Sequence, residues 1–464
     1  MSRIRNRRRL QVERNLPSPQ NPRTATNLDA NIETATLRKL DRHLIPFLAL
    51  LYFAAFLDRV SVGFAAAQMT RDLGFSAYVF GLAAGIFFVG YCLFEVPSTL
   101  LLHRVGARRW LARIMITWGL IAGAMALISN APTFYVSRFL LGVAEAGFFP
   151  GIVYYLTQWV PAAARAKLIG RFMIAIPLST AVAGPVSTAI LRLDGAHGLS
   201  GWQWLFLIET LPSLLLGIAT LRYLPDRPAD AAWLSAEERQ WLAQTLEREA
   251  LLTQTRSTTL LHALTDRRVL TLSVCYFGVE IGLYGVILWI PQIFANVGFE
   301  PQWIGLAVAI PYGLSAIAMV SWARRSDQTG ERVRHIAIAS LVGFLGLTAS
   351  GFLPHSPVLS VIAVTFGAAG TLAILPIFWT LPAQILRGAA AAGAIALINA
   401  IGNLGGFAGP FAIGWLKTAT GSFTWGLVAM ASGVLATGII ALLLGDGADP
   451  PAHTPSIRSQ EHEA

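Results

Sequence analysis

The chain has 464 residues, of which 55% are hydrophobic and only 13% are charged. About a quarter of the residues of a soluble domain are charged, so this composition excludes a soluble globular protein and indicates a polytopic membrane protein. The net charge of +10 requires no nucleic-acid partner, because basic residues in short loops are what orients a membrane protein.

Twelve apolar runs follow one another along the chain, each near the 20 residues that cross a bilayer as a helix. We therefore predict an all-α fold with two pseudo-symmetric six-helix bundles, 37–222 and 269–444. Between them, 223–268 is expected to be a cytoplasmic linker with an amphipathic helix, for which Ser235 and Glu238 have capping-box spacing. We expect 1–36 and 445–464 to be disordered cytoplasmic ends. The runs cover 44–66, 79–101, 110–129, 133–156, 169–191, 203–222, 269–294, 303–323, 335–353, 358–379, 391–416 and 424–444.

Basic residues in the short loops predict the orientation, because such loops stay in the cytoplasm. The loops after runs 2, 4, 8 and 10 carry twelve Lys or Arg residues, against three in the opposite loops. Both termini are therefore expected in the cytoplasm. The twelve are Arg104, Arg108, Arg109, Arg113, Arg165, Lys167, Arg171, Arg324, Arg325, Arg332, Arg334 and Arg387; the three are Arg71, Arg192 and Lys417.

Charged residues interrupt two of the apolar runs. Run 1 contains the doublet Asp58 and Arg59, and run 4 contains Arg138 and Glu145. Seven residues are nearly two helical turns, so Arg138 and Glu145 share one face about 10 Å apart along the axis. An ion at the bilayer centre costs about 2.5 to 3.5 kcal/mol, so all four must face inward. They form either a purely structural ion-pair group or part of a ligand site.

Further polar residues lie inside other runs. Tyr91 and Glu280 are candidates for hydrogen bonding and for proton binding, although packing is an open alternative for each. Asn399 and Asn403 are one turn apart, which makes lipid exposure of both unfavourable and indicates a cavity lining. Trp379 and Thr380 end run 10.

An internal repeat relates the two bundles. HRVGARR at 103–109 corresponds to DQTGERVR at 327–334 with an offset of 224, and Gly184-Pro185 corresponds to Gly409-Pro410 with an offset of 225. Duplicated bundles of this kind place a binding site where they meet, near the bilayer midplane.

Enzymatic chemistry finds no support in the sequence. It contains no metal-ligand spacing, no nucleophile with an adjacent base and no Gly-rich phosphate loop. Cys92 and Cys275 lie inside runs 2 and 7 and are expected to be structural. We expect no enzyme activity, no metal and no cofactor.

The motifs resemble those of the major facilitator superfamily, and more narrowly its anion:cation symporter family of bacterial tartrate, phthalate, hydroxyphenylacetate and sugar-acid permeases. The resemblance covers about 37–444 and rests on the order and number of the motifs. They are LDRVSVGFA, GYCLFEVPS, HRVGARR, RFLLGVAEAGFFPG, GWQWLFLIE, LPDRP, YGVILWIPQIF and SDQTGER.

The resemblance implies roles for individual residues. It implies a coupling and anion site at Asp58, Arg59, Arg138 and Glu145, a substrate contact at Tyr91 and polar contacts at Thr380 and Asn403, in the inner membrane of a bacterium. With the candidates taken from the residues themselves, the predicted substrate-binding set is Arg59, Tyr91, Arg138, Trp379, Thr380, Asn399 and Asn403, and the predicted proton-coupling set is Asp58, Glu145 and Glu280. The two loop motifs are the predicted gate, through His103, Arg104, Gly106 and Arg108 with Asp327, Gly330 and Arg332. Two positions depart from the family pattern. His103 replaces an acid, and Phe56 replaces a tyrosine that is frequent in sugar-acid carriers.

The expected function is proton-coupled uptake of a small organic anion by a monomer in the lipid bilayer. Arg59 is the predicted carboxylate anchor, with Arg138 neutralising Glu145 or Asp58. The substrate is either a hydroxy-dicarboxylate such as tartrate or an aromatic carboxylate. Sodium coupling and organic-anion exchange are the rival mechanisms, and a membrane-embedded sensor or enzyme is a remote one.

Overall fold

A computed structural model describes residues 22–254, 266–353, 355–385 and 389–445. Within these residues the chain is helical and contains no strand. The predicted disordered stretches at 1–21 and 446–464, part of the linker at 255–265, and Arg387 of the orientation argument lie outside the described residues.

The helices form two halves with a helix preceding the first half and another between them. Within the described residues, eleven segments are long and apolar enough to cross a membrane. The helix Ala389–Thr420, with 32 residues, lies at the position of the predicted eleventh run. The first half contains α2 Ile45–Leu73, α3 Ala77–Val105, α4 Ala107–Ala124, α5 Ala131–Glu145, α6 Phe148–Thr157, α7 Ala162–Met173, α8 Ala175–Leu191 and α9 Gly201–Tyr223. The second contains α11 Arg267–Asn296, α12 Pro301–Thr329, α13 Arg332–Gly351, α14 Pro357–Phe378, α15 Thr380–Ile385, α16 Ala389–Thr420 and α17 Thr424–Leu444. Short 3₁₀ turns lie at Met125–Leu127, Ala196–Gly198 and Pro228–Asp230. The predicted all-α architecture is confirmed.

The outer surface of these helices is apolar. Large side chains such as Leu127, Leu215 and Leu443 are exposed, which would be costly in water and suits contact with lipid tails. The helices also extend beyond the predicted runs. For example, α2 continues to Leu73, because the ends of a span emerge into the polar interface and tolerate charged residues there.

Helix α1, Pro22–His43, corrects the prediction of a disordered stretch up to residue 36. Thr36 and Leu40 of this helix are buried, and Lys39 pairs with Glu238 at 2.7 Å. The sequence of α1 lacks an apolar run, so its folding depends on contacts with distant parts of the chain.

Its partner is α10, Ala236–Gln254, in the linker. The predicted capping box is confirmed, because the backbone N–H of Glu238 donates to Ser235 Oγ at 3.1 Å and that of Ser235 donates to Glu238 Oε2 at 2.7 Å. Burial raises the pKa of Glu238, but the hydrogen bonds from Lys39 and Ser235 outweigh burial and hold this pKa below its usual value. His43 stacks on Trp233 with ring centroids 4.6 Å apart. The linker is therefore fastened to the first half.

Helix α5 ends at Glu145, where the sequence predicts one continuous span from 133 to 156. Ala146 is extended, and Gly147 adopts φ +82°, a left-handed conformation that favours glycine. A Cβ on Gly147 would also lie 2.5 Å from Ser98 Oγ. The break places the Glu145 carboxylate at the end of a helix, at the surface of the central cavity.

The two halves meet through three helix pairs, α2 with α11, α3 with α16 and α8 with α12. Close backbone approaches lie on one side of the helix bundle, near the N-terminal ends of α3 and α12 and toward the C-terminal end of α8. There, a Cβ on Gly184 would be 2.3 Å from the Gly305 carbonyl oxygen, and one on Gly305 would be 2.2 Å from that of Gly184. Small residues allow such backbone contact between membrane helices. The halves are thus closed together on that side.

Gly305→Ala tests this closure. The added methyl group collides with the Gly184 backbone, and overpacking of this kind costs about 1 to 3 kcal/mol. We expect the halves to separate there, which spin labels at exposed Leu193 and Trp303 would report as an increased population of long distances. Gly313→Ala, on the same helix with nothing within 4 Å of the added atom, is the matched control. Identical distance distributions for both variants would contradict the assigned contact.

Candidate functional site

A central cavity lies between the two halves and has an empty volume of about 490 Å³. Helices α2, α3, α6, α8, α11, α14 and α16 contribute to its walls, together with Glu145 at the end of α5 and Met173 at the end of α7. The residues that line it are Tyr52, Phe56, Arg59, Tyr91, Glu145, Phe148, Phe149, Met173, Ile176, Tyr276, Glu280, Leu283, Tyr284, Leu375, Asn399 and Asn403.

Arg59 is the positive charge of this cavity. Its guanidinium is buried and donates through Nη2 to Glu145 Oε1 and through Nη1 to the Tyr284 hydroxyl at 2.5 Å. Glu145 belongs to the first half and Tyr284 to the second. Arg59 therefore connects the halves through a planar group that can serve two acceptors at once.

Aromatic rings surround the same guanidinium. The ring centroids of Phe56, Phe87, Tyr91 and Tyr284 lie 5.0 to 5.8 Å from the guanidinium carbon of Arg59. At this distance the negative face of each ring attracts a cation. The Arg59 Nε atom is buried without a hydrogen-bond partner among the described residues. The rings thus stabilise the positive charge of Arg59 itself, while the Nε–H donor of Arg59 is not used.

The other two predicted charges do not line the cavity. Arg138 is buried against Phe87, with its guanidinium carbon 4.8 Å from the ring centroid. Its Nε donates to the Ala83 carbonyl at 3.4 Å, and its Nη2 lacks a partner within the described chain. Asp58 is also buried. Glu145 pairs with Arg59, and the charges of Asp58 and Glu145 both act on Arg138, so the expected neutralisation of Glu145 or Asp58 by Arg138 stays a prediction.

Several uncharged and acidic candidates do meet in the cavity. Tyr91 of α3, Glu280 of α11, and Asn399 and Asn403 of α16 all line it. Asn399 Nδ2 donates to Glu95 Oε1 at 2.5 Å. The cavity therefore combines residues from both halves, as the repeat predicts.

Trp379 and Thr380 lie outside the cavity lining. Trp379 packs its ring 5.0 Å from that of Tyr276 and 6.4 Å from that of Phe149. The Thr380 hydroxyl donates to the Ile377 carbonyl at 2.7 Å, between α14 and α15. The Trp379 Nε1 atom is buried without a hydrogen-bond partner among the described residues, so only the Thr380 hydroxyl is bound locally.

The two loop motifs occupy equivalent turns at the helix ends. Gly106 has φ +95° and Gly330 φ +75°, values that favour glycine. Asp327 pairs with Arg332 at 2.5 Å in the second motif.

In the first motif His103 occupies the acid position, and its ring lies 4.0 Å from that of Tyr154. Arg108 there pairs instead with Asp226, at 2.6 Å. Asp226 belongs to the LPDRP segment after α9, so a distant acid replaces the missing one. Arg104 is exposed beside this turn.

Sequence reasoning missed part of the cavity wall. Tyr276, Glu280 and Tyr284 recur every four residues on α11, and Tyr52 lies seven residues before Arg59 on α2. These spacings put each set on one helix face. That periodicity is the signal that would have identified the tyrosines.

Tyr284→Phe tests the bridge to Arg59. The variant leaves a buried guanidinium donor unsatisfied, and a hydrogen bond to a charged group contributes about 1.5 to 3 kcal/mol. We expect a lower unfolding temperature in detergent. Tyr312→Phe is the control, since the Tyr312 hydroxyl is buried without a partner among the described residues and its loss should not destabilise. Equal effects of both variants would refute the bridge.

Comparison with known proteins identifies the family. Residues 48–410 match the Major Facilitator Superfamily. A protein of Agrobacterium vitis named "Putative tartrate transporter" is 50% identical over 387 residues, which are 83% of this chain and 89% of that protein. The "Quinolone resistance transporter" of Acinetobacter baumannii is 45% identical over 385 residues, 82% of this chain and 88% of the relative.

A solved structure supports the fold. The bacterial homologue of the human lysosomal transporter Spinster, in an inward-facing and occupied conformation, superimposes with a TM-score of 0.69 at 16% identity. The match covers 87% of this chain and 96% of the other. The resemblance drawn from the sequence motifs is confirmed, and the chain belongs to the Major Facilitator Superfamily as a multi-pass membrane transporter.

Proposed function

We propose that the protein imports a small organic anion together with protons, by alternating access. The observation that carries the proposal is the buried Arg59–Glu145 ion pair, which faces a cavity between two halves. A guanidinium binds carboxylates through parallel hydrogen bonds, so a substrate carboxylate would compete with Glu145 for Arg59.

This competition couples protons to substrate. An ionised Glu145 occupies Arg59 and is stabilised by it, whereas a protonated Glu145 releases the guanidinium for the substrate. Burial disfavours a carboxylate that has lost its partner, so substrate on Arg59 favours the protonated acid. Glu145 is thus the proposed coupling acid, with Asp58 and Glu280 as further proton-binding groups.

The membrane potential sets the charge that must be balanced. Moving one elementary charge costs about 2.3 kcal/mol per 100 mV. A dianion entering an inside-negative cell would therefore cost about 4.6 kcal/mol at 100 mV. Two accompanying protons cancel that charge, and a third makes entry electrically favourable.

The proposed substrate is a hydroxy-dicarboxylate such as tartrate. The relative named for tartrate supports this class, as do the hydroxyl and amide groups of Tyr91, Asn399 and Asn403 in the cavity wall. An aromatic carboxylate is the second candidate, because Phe56, Phe148 and Phe149 supply ring surfaces to the same cavity.

The proposed setting is a bacterial inner membrane with both termini in the cytoplasm and one chain per transporter. The distribution of basic loop residues supports the orientation. In that orientation the Gly184–Gly305 contact closes the periplasmic side, and the two loop motifs lie at the cytoplasmic gate.

Uptake by proteoliposomes tests the coupling. A pH gradient without sodium should drive tartrate accumulation by the unmodified protein, and Glu145→Gln should abolish accumulation while retaining exchange of internal for external tartrate. Glu209→Gln is the control, since Glu209 is a buried acid beside Ser187 that is not among the residues lining the cavity. A requirement for sodium or for internal anion would reject proton coupling, and concentrative uptake by Glu145→Gln would reject its role.

Arg59→Lys tests the anchor. A lysine ammonium keeps the charge but lacks the planar fork that serves two acceptors. Loss of one charged hydrogen bond of about 1.5 to 3 kcal/mol should weaken tartrate binding roughly 10- to 150-fold, measured by calorimetry. Arg71→Lys, at an exposed position of the same helix, should bind normally. Near-normal affinity of Arg59→Lys would refute the anchor role.

A further inference from the structure

The charges around the cavity are unequal in number. Among the described residues that line it, Arg59 is the only lysine or arginine, whereas both Glu145 and Glu280 are acids. Arg138, the other buried guanidinium singled out above, packs against Phe87 outside the lining. A ligand with two ionised carboxylates would therefore find a cationic partner for only one of them.

Glu280 lies where the remainder of an anchored ligand would be. It precedes Tyr284 by one turn of α11, about 6 Å along the helix axis, and Tyr284 accepts the hydrogen bond from Arg59. Glu280 is 2% exposed, and its Oε2 atom is buried without a hydrogen-bond partner among the described residues. Tyr276, one turn earlier on α11, is a hydrogen-bond partner of the Glu280 carboxyl within the protein, and the unpartnered Oε2 atom can still accept a hydrogen bond from a ligand.

We infer that Glu280 sets the charge and the polarity of the bound substrate. The site takes an organic acid with one ionised carboxylate at Arg59 and a hydrogen-bond donor at Glu280. Hydroxyl, primary amide and protonated carboxyl groups all meet this second requirement. The inference rests on the proposed function and specifies its substrate class.

Where the second carboxyl of a dicarboxylate, rather than a hydroxyl, is the group at Glu280, this arrangement fixes one proton. Two carboxylates in hydrogen-bond contact cannot both remain ionised, so the second carboxyl of the ligand and Glu280 share a single proton in an O–H···O hydrogen bond. This proton is taken up from the solution and is bound to either the substrate carboxyl or Glu280. No covalent bond other than this O–H bond forms or breaks. Tartrate would then be held with one net negative charge rather than two.

Binding of tartrate and of its monoamide to the purified full-length protein, at one fixed pH of about 7.5, tests the inference. The monoamide keeps the carboxylate for Arg59 and offers a neutral N–H donor to Glu280. The unmodified protein should bind the monoamide at least tenfold more tightly than tartrate. In Glu280→Gln, which removes the negative charge at nearly constant shape, the preference should fall below about threefold.

Glu209→Gln is the matched control, since it neutralises a buried acid that accepts a hydrogen bond from Ser187 at 2.9 Å. It should keep the full preference for the monoamide. Equal affinities, or tighter binding of tartrate, in the unmodified protein would overturn the inference and leave the proposed function standing. An unchanged preference in Glu280→Gln would also overturn it. Binding of neither compound would reject the hydroxy-dicarboxylate function, and the inference with it.

Discussion

The structure depends on keeping the Arg59 guanidinium stable away from water. Removing such an ion from water costs several kcal/mol, and only close partners repay it. Glu145 supplies the opposite charge, Tyr284 an acceptor, and four rings a negative surface. Because these partners come from both halves, the arginine's environment changes whenever the halves move. In the mechanism we propose, a conformational change and the protonation of Glu145 are linked through this one side chain.

Much of this architecture follows from the sequence, because a bilayer leaves few alternatives. Backbone groups in lipid must be satisfied within helices, so apolar runs predict spans, and the duplicated loop motifs predict two halves. The same constraint makes an intramembrane ion informative. Arg59, Glu145, Glu280, Asn399 and Asn403 were all predicted, and all line the cavity.

The sequence could not predict which side chains and helices contact each other, because these contacts depend on distances between helices that are remote along the chain. Spacing on one helix left open whether Arg138 would neutralise Glu145 or Asp58, and the break at Gly147 presents Glu145 to Arg59 of another helix. Likewise, the acid missing at His103 is replaced by Asp226, more than a hundred residues away. The sequence did not predict the part of helix α1 before residue 37, because its packing partner α10 lies about two hundred residues further along the chain.

Proton uptake on substrate binding tests the central claim most directly, namely that substrate and Glu145 compete for Arg59. It can be followed with a pH indicator in weakly buffered detergent solution as tartrate is added to the purified protein. The account predicts that the unmodified protein takes up about one proton more per bound tartrate than Glu145→Gln does. Equal proton uptake by the two proteins at matched saturation would contradict it.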